Sequence, residues 1–409
     1  MQQALVFGII MCCLAPVLCR AQDATNTIPK QSEVKDTSRQ TDLIDIAKGL
    51  FRINLKKPRM QGEKKIYFSI LPVPGAVPGG AGQALVTSTT AGTYLGLQSN
   101  TNLSTVTFAP YWNLHNRFGL PLRSSIWLSD NTWNIQGDIR FLVYPQYTWG
   151  LGTSHINSDK TLVDDRYIRF YQSALKRITP YFFAGGGYNI DYRSGIKSDD
   201  PDVDLKQFTG YSYGTAGGSV SSGINLSLLY DTRNNSINPL PGSYVNIVYR
   251  INPVFLGSND TWQSLYADVR RYFPLNPSNK NQQNTLAFWS YFWTVFNGKT
   301  PYLDLPSIGW DPYNRSGEGI DQNRYRGKSL FYFESEYRRD ITTNGLLGFV
   351  VFADVNTVSG SGTFFTAWHP AAGTGLRVKF NKSSRTNIGV DYGFSKGYSA
   401  VILNLGEAF

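Results

Sequence analysis

Leu330-Phe331-Tyr332-Phe333-Glu334-Ser335-Glu336-Tyr337-Arg338-Arg339-Asp340-Ile341 carries two different surfaces in alternation. Leu330, Tyr332, Glu334, Glu336, Arg338 and Asp340 fall on one face, and Phe331, Phe333, Ser335, Tyr337 and Ile341 on the other, with Arg339 the one interruption. Period two is the side-chain period of a strand, so this segment has one charged wall and one apolar wall. The pattern repeats downstream. Leu347, Phe349, Val351, Ala353 and Val355 oppose Gly348, Val350, Phe352, Asp354 and Asn356. Leu376, Val378 and Phe380 oppose Gly375, Arg377 and Lys379, and Ile388, Val390, Tyr392 and Phe394 oppose Asn387, Gly389, Asp391 and Gly393.

Alternation alone fits a soluble sandwich as well as a membrane barrel, so composition decides. The longest apolar run, Ala4 to Leu18, is too short for a spanning helix and lies where a secretion signal lies. It ends on Cys19-Arg20-Ala21, which predicts a signal peptide over residues 1–21 with cleavage after Ala21. A lipid-modified Cys19 is the alternative, against which stands the bulky Leu18 just before it. Cys12, Cys13 and Cys19 all lie in that segment, so the mature chain has no thiol, disulfide or Cys metal site. Only helices and closed barrels satisfy every backbone polar group in lipid. An exported chain of alternating, aromatic-rich strands therefore predicts an all-β fold, a transmembrane antiparallel β-barrel in the cell outer membrane.

The formal charge of +10 comes from lysines and arginines scattered through the chain, which argues for lumen-facing arginines and contact with outer-membrane lipids, not nucleic acid. Residues 22–65 read as a periplasmic leader, polar at first, with a short amphipathic helix over Thr41 to Ile53. Residues 66–409 form the barrel. Sixteen strand-like segments follow Ile66, and with both ends in the periplasm the long connections 146–162, 195–214, 298–328 and 357–369 all fall outside.

Tyr325-Arg326-Gly327-Lys328, then Glu336-Tyr337-Arg338, Phe352-Ala353-Asp354 and Gly373-Thr374-Gly375-Leu376-Arg377 follow one another in the C-terminal part. Upstream stand Asp231-Thr232-Arg233-Asn234 and Pro239-Leu240-Pro241-Gly242. In these residues the chain resembles the bacterial surface antigen family, the BamA/TamA-type outer-membrane assembly barrels. The resemblance implies that loop 298–328 folds into the lumen as a latch, with Arg326 and Gly327 reaching the wall acids Glu336 and Asp354. A guanidinium in a partly dehydrated lumen needs such carboxylates for its fork of donors. It implies a periplasmic turn motif at Asp231, Arg233, Pro239 and Gly242, and a C-terminal barrel signal in which Leu403, Leu405 and Phe409 share the lipid face with Val401.

Family members usually carry periplasmic POTRA modules of roughly 70 to 80 residues each. Only 44 residues separate Ala21 from Ile66, so a member lacking POTRA domains is expected. The resemblance implies insertion, assembly or translocation of outer-membrane proteins or lipids, with client barrels or a separate periplasmic subunit as partners. Pro72, Pro74, Gly75, Pro78, Gly79 and Gly80 would weaken pairing of the first strand with the last, although a plain outer turn explains them too. The alternative is a transporter or diffusion pore. No enzyme is expected: His115, His155 and His369 lie in or beside connections, and no nucleophile, base and orienting group share a recognisable spacing. No cofactor or metal is implied.

Overall fold

Side chains that a soluble protein buries are on the outside here, and those it exposes are within. In the strand Ser329–Asp340, Tyr332, Glu334, Glu336 and Arg338 are buried and Phe333 is exposed. Ile168, Phe170, Leu226, Val351, Leu376, Val390 and Val401 are likewise exposed on other strands. A wall of this kind is stable only when its outer face meets lipid. Among the described residues no helix is long and apolar enough to cross a membrane.

The computed structural model describes residues 40–51, 66–76, 83–112, 117–143, 145–153, 158–233, 235–276, 282–296, 299–360 and 364–409. The expected signal peptide and most of the expected leader lie outside these, as do His115 and His155. Helix α1 (Leu43–Leu50) is shorter than the predicted Thr41 to Ile53 and is capped by Asp42, whose side chain accepts from Asp45 N. Then come β1 (Tyr67–Ala76), β2 (Gln83–Thr93), β3 (Ser104–Phe108), β4 (Tyr111–Trp112), β5 (Phe118–Gly119), β6 (Leu122–Trp127), β7 (Trp133–Val143) and β8 (Gln146–Thr148). The chain continues through β9 (Thr161–Thr179), β10 (Phe182–Ser198), α2 (Leu205–Thr209), β11 (Gly217–Asp231), β12 (Gly242–Asn252), β13 (Trp262–Pro274) and β14 (Asn284–Val295). It ends with β15 (Ser329–Asp340), β16 (Leu347–Val358), β17 (His369–Asn381), β18 (Thr386–Ser395) and β19 (Tyr398–Leu405).

All nineteen pieces join one antiparallel sheet. Three of them continue the piece before: β2 pairs with both β3 and β4, β7 with both β5 and β6, and β9 with both β7 and β8. Counted this way, the pieces among the described residues make sixteen staves. The first strand, expected over 66–71, runs on through Pro72 and Pro74 to Ala76 and pairs with β2 along its whole length.

A charge facing the lumen is costly to leave unpaired, because desolvating an isolated ion costs several kcal/mol. The sequence meets this by placing acid and base two residues apart on one face. Arg140 binds Asp138 at 2.6 Å, Arg270 binds Asp268 at 2.7 Å, and Arg338 binds Glu336 at 2.5 Å. Larger networks cross strands. Asp191 accepts from Tyr167 and Tyr171 of β9 at 2.5 and 2.6 Å, from Arg169 at 3.3 Å, and from Arg250 of β12 at 2.7 Å. Arg250 reaches over β11 because Ser221, opposite Asp191, is small.

Asp191→Ala is expected to strand Arg169 and Arg250 in the wall and to destabilise the barrel by about 3–5 kcal/mol. The test is the urea midpoint in lipid, or the temperature at which the compact band on an unheated gel converts to the unfolded one. An unchanged midpoint would refute the role of Asp191 as the hub.

Candidate functional site: a plugged lumen beside a proline-marked seam

The connection from β14 to β15 turns inward and fills the lumen from the outer rim. Residues 299–328 bury Tyr302, Leu303, Leu305, Ile308 and Ile320, and bond to walls all round the barrel. Arg123 of β6 donates to Tyr313 O at 2.8 Å, and Arg140 of β7 to Pro312 O at 3.0 Å. Arg193 of β10 reaches Asp304 at 3.4 Å, and Ser221 of β11 donates to the same carboxylate at 2.7 Å. Tyr291 of β14 donates to Ser316 at 2.9 Å, and Tyr332 of β15 accepts from Gly317 N at 3.0 Å. Asn404 of β19 donates to Glu318 at 3.4 Å. At Gly319, with φ +98°, a Cβ would meet Phe394 N at 2.5 Å, so the loop lies directly against β18. Burial, with Asp391 and Glu336 near by, raises the Glu318 carboxyl well above its ordinary value.

Arg326 is buried, but the expected latch is not formed. Its guanidinium donates to Tyr302 O at 3.1 Å and Asn323 Oδ1 at 2.8 Å, and lies over the Tyr302 ring. Among the described residues it makes no ion pair with Glu336 or Asp354. Glu336 is taken by Arg338, and neither carboxylate oxygen of Asp354 has a hydrogen-bond partner. The backbone explains this. Arg326 bridges Gly152 and Ser307, and Gly327 N donates to Pro306 O at 3.0 Å, which holds the motif high in the loop. Burial, with Arg193 adding its charge, pulls the Arg326 pKa below its ordinary value. The acids of that region, Asp165 and Asp304, bind Arg193 at 2.6 and 3.4 Å. Gly327 is a steric necessity, since a Cβ there would sit 2.3 Å from Ser359 O.

His369 begins β17, where its ring stacks on Tyr325 with centroids 3.7 Å apart. Arg193 and the loop residue Tyr302 escaped sequence reasoning because each is one Arg or Tyr among many. Only the folded loop sets them apart.

The opposite end of the lumen is closed by the β11–β12 turn and the C-terminal tail. Arg233 grips Asp231 through two hydrogen bonds of 3.0 and 2.9 Å and lies 4.1 Å over the Tyr244 ring. Gly242 has φ +134°, and a Cβ there would strike Arg233 Cα at 2.7 Å. Pro239 is buried beside Asn238, which exchanges hydrogen bonds of 3.1 and 2.9 Å with Gln283 of the β13–β14 turn. Asn235 donates to Ser384 O of the β17–β18 turn at 3.2 Å. The turn thus crosses beneath the lumen.

Val401 and Leu403 face outward, but Phe409 does not share their face. The backbone leaves β19 at Gly406, with φ +95°, and carries the tail inward. Glu407 binds Arg377 at 2.9 Å, and Arg338 donates to Phe409 O at 3.0 Å. The Phe409 ring lies 5.3 Å from Trp289 and 6.1 Å from Tyr272. Leu405, the last residue of β19, is half-buried. Glu407 is therefore a lumen charge.

β1 and β19 are neighbours, with Cα atoms within 8 Å, yet among the described residues no ladder joins them. Register explains part of this. Thr87, opposite Pro72, donates its N–H to Pro110 O, away from β1. Opposed residues in an antiparallel pair point their backbone groups the same way relative to each other, both inward or both outward. The nitrogens of Pro72 and, two residues on, Pro74 therefore face the β19 side. Neither carries a hydrogen, so the seam edge of β1 lacks two donors.

Fold and site together define an antiparallel membrane barrel plugged by its own outer loop, with a weakly bonded junction between first and last strands. Residues 79–400 match the Omp85 superfamily domain. The chain belongs to the Omp85 superfamily. It is similar in structure to BamA from Haemophilus ducreyi lacking POTRA domains 1–3, at 13% identity and a TM-score of 0.50, over 84% of this chain and 69% of that one. CdiB from Acinetobacter baumannii is similar at 13% identity and a TM-score of 0.49, over 81% of this chain and 62% of that one. No curated protein matches the chain.

Arg326→Ala removes two charged hydrogen bonds of about 1.5–3 kcal/mol each, and Gly327→Val forces the loop off Ser359. Both variants are expected to reach the folded state and to be cut at least about tenfold faster by protease added from outside. Wild-type cleavage rates in folded protein would show that the motif does not hold the loop.

Proposed function

We propose that this barrel inserts, assembles or translocates outer-membrane proteins or lipids by parting β1 from β19, not by conducting solutes along its lumen. The observation that carries the reading is the seam edge, where Pro72 and Pro74 remove donors on the side facing β19 while the β1–β2 ladder stays whole. Unpaired edges template incoming strands. A client strand could pair there once the seam parts. Membership of the superfamily supports the same reading.

The pore reading has the opposite requirement. Solute flow needs an open path, and the plug above with the turn and Phe409 below occupy the lumen from both rims. Catalysis is not part of the proposal. Client barrels, or a separate periplasmic subunit that captures them, are the partners it requires.

Depleting the protein in its native bacterium and quantifying the outer-membrane proteome over time tests the proposal, with a barrel of known independent assembly as control. Loss of several barrels or surface lipoproteins is expected. An intact proteome would end the general assembly reading.

Pro72→Val with Pro74→Val restores two backbone donors to the seam. This double variant is expected to fold, to melt at a higher temperature, and to reproduce part of the depletion defect as the only copy in the cell. Normal client levels together with a raised melting temperature would show that seam opening is not the working step.

A further inference from the structure

Helix α1 is amphipathic, and it is docked the wrong way round for water. Leu43, Ile46, Ala47 and Leu50 recur at i, i+3, i+4 and i+7, so they form one stripe. A helix on a water-soluble surface turns such a stripe toward its host. Here the polar residues bind the barrel. Asp42 accepts from Lys382 N at 2.8 Å, and Asp45 pairs with Lys382 Nζ at 2.7 Å. Lys382 Nζ also donates to Gln40 O at 2.9 Å, and Thr41 N donates to Asn344 O at 3.0 Å. These contacts clamp the start of the helix to the β15–β16 and β17–β18 turns, both on the periplasmic rim. Beyond the clamp Ile46 is 44% exposed, Leu50 76% and Phe51 69%.

We propose that α1 lies on the periplasmic leaflet of the outer membrane, with Ile46, Leu50 and Phe51 sunk among the acyl chains beside the barrel wall. The proposal rests on the reading of the chain as a membrane-embedded barrel. Two further observations select lipid as the occupant. Ile341 and Leu347 flank the turn that holds Thr41 and are 58% and 41% exposed, so the lipid-facing belt reaches the turn on which the helix is anchored. Lys48, exposed in the last helical turn, supplies the cation that an anionic headgroup attracts. The helix thus repeats the arrangement of the barrel wall, polar contacts inward and apolar side chains outward. It would fix the orientation of the chain entering β1, the strand that borders the seam.

Residues 22–409, which hold no native cysteine, with Leu50→Cys as the only cysteine and an environment-sensitive fluorophore attached, would be folded into phosphatidylethanolamine–phosphatidylglycerol liposomes containing doxyl-labelled lipid. Leu403→Cys, on the lipid face of β19, is the control. The expected result is a blue-shifted emission at position 50 with loss of intensity comparable to that at 403. Quenching at 403 with a water-like, unquenched signal at 50 overturns the proposal and leaves the barrel reading standing. A shielded but unquenched signal at 50 also overturns it, since protein would then cover the stripe. Absence of quenching at both positions means that the barrel reading itself has failed. In cells, a photoreactive residue at Phe51 should yield lipid adducts, whereas a discrete protein adduct would replace the leaflet with a partner.

Discussion

The inability of lipid to hydrogen-bond governs this molecule. A backbone group left open in the hydrocarbon costs several kcal/mol, which restricts a chain without spanning helices to a sheet closed on itself. The polar half of every strand must then face inward. That choice creates a second problem, a narrow interior filled with arginines, aspartates and glutamates. It is solved locally by pairs such as Asp268–Arg270 and Glu336–Arg338, two residues apart on one strand, and across strands by Asp191 with Arg169 and Arg250. Neutralised in this way, the lumen accepts buried Tyr, Trp and Phe, and it becomes a packed interior that a loop and a tail can enter.

Closure is nevertheless incomplete at one place. Every other junction in the sheet is a register of paired residues, while β1 and β19 lie side by side without one among the described residues. Proline in a membrane strand is tolerable only where its missing hydrogen has no partner to disappoint, and Pro72 and Pro74 both present it to the seam. The plug and the seam are physically joined. The loop rests on β18 at Gly393 and Phe394 and touches β19 through Asn404, so a force that moves the loop acts on the strands that border the opening.

Much of the barrel was legible in the strand alternation. The charged and apolar faces of β15 and β16 fall where period two places them, whereas the inward course of loop 298–328 was implied only by the family resemblance of its motif. The partners of Arg326 were not legible. An Arg-Gly motif and two wall acids are compatible with a pairing, but the loop's own contacts, Gly152 with Arg326 and Pro306 with Gly327, hold the guanidinium beside Tyr302 and Asn323. Phe409 misled for a related reason. Alternation assigns it to the lipid face as long as the strand continues, and a left-handed glycine at 406 ends the strand four residues from the C-terminal Phe409.

The sequence by itself determined the strands, the side of each that meets lipid, the acid–base spacing that makes an interior of charges tolerable, and the prolines of the first strand. These are local properties, set by residues one or two positions apart along a strand whose side chains alternate. The tertiary structure alone decided which arginine holds which carboxylate, where the C-terminal ring rests, which edge of β1 the prolines weaken, and which face of α1 is left open. Each of those depends on register and on loops returning across the lumen. Distances of that kind arise only when the sheet closes and brings together residues far apart in the chain.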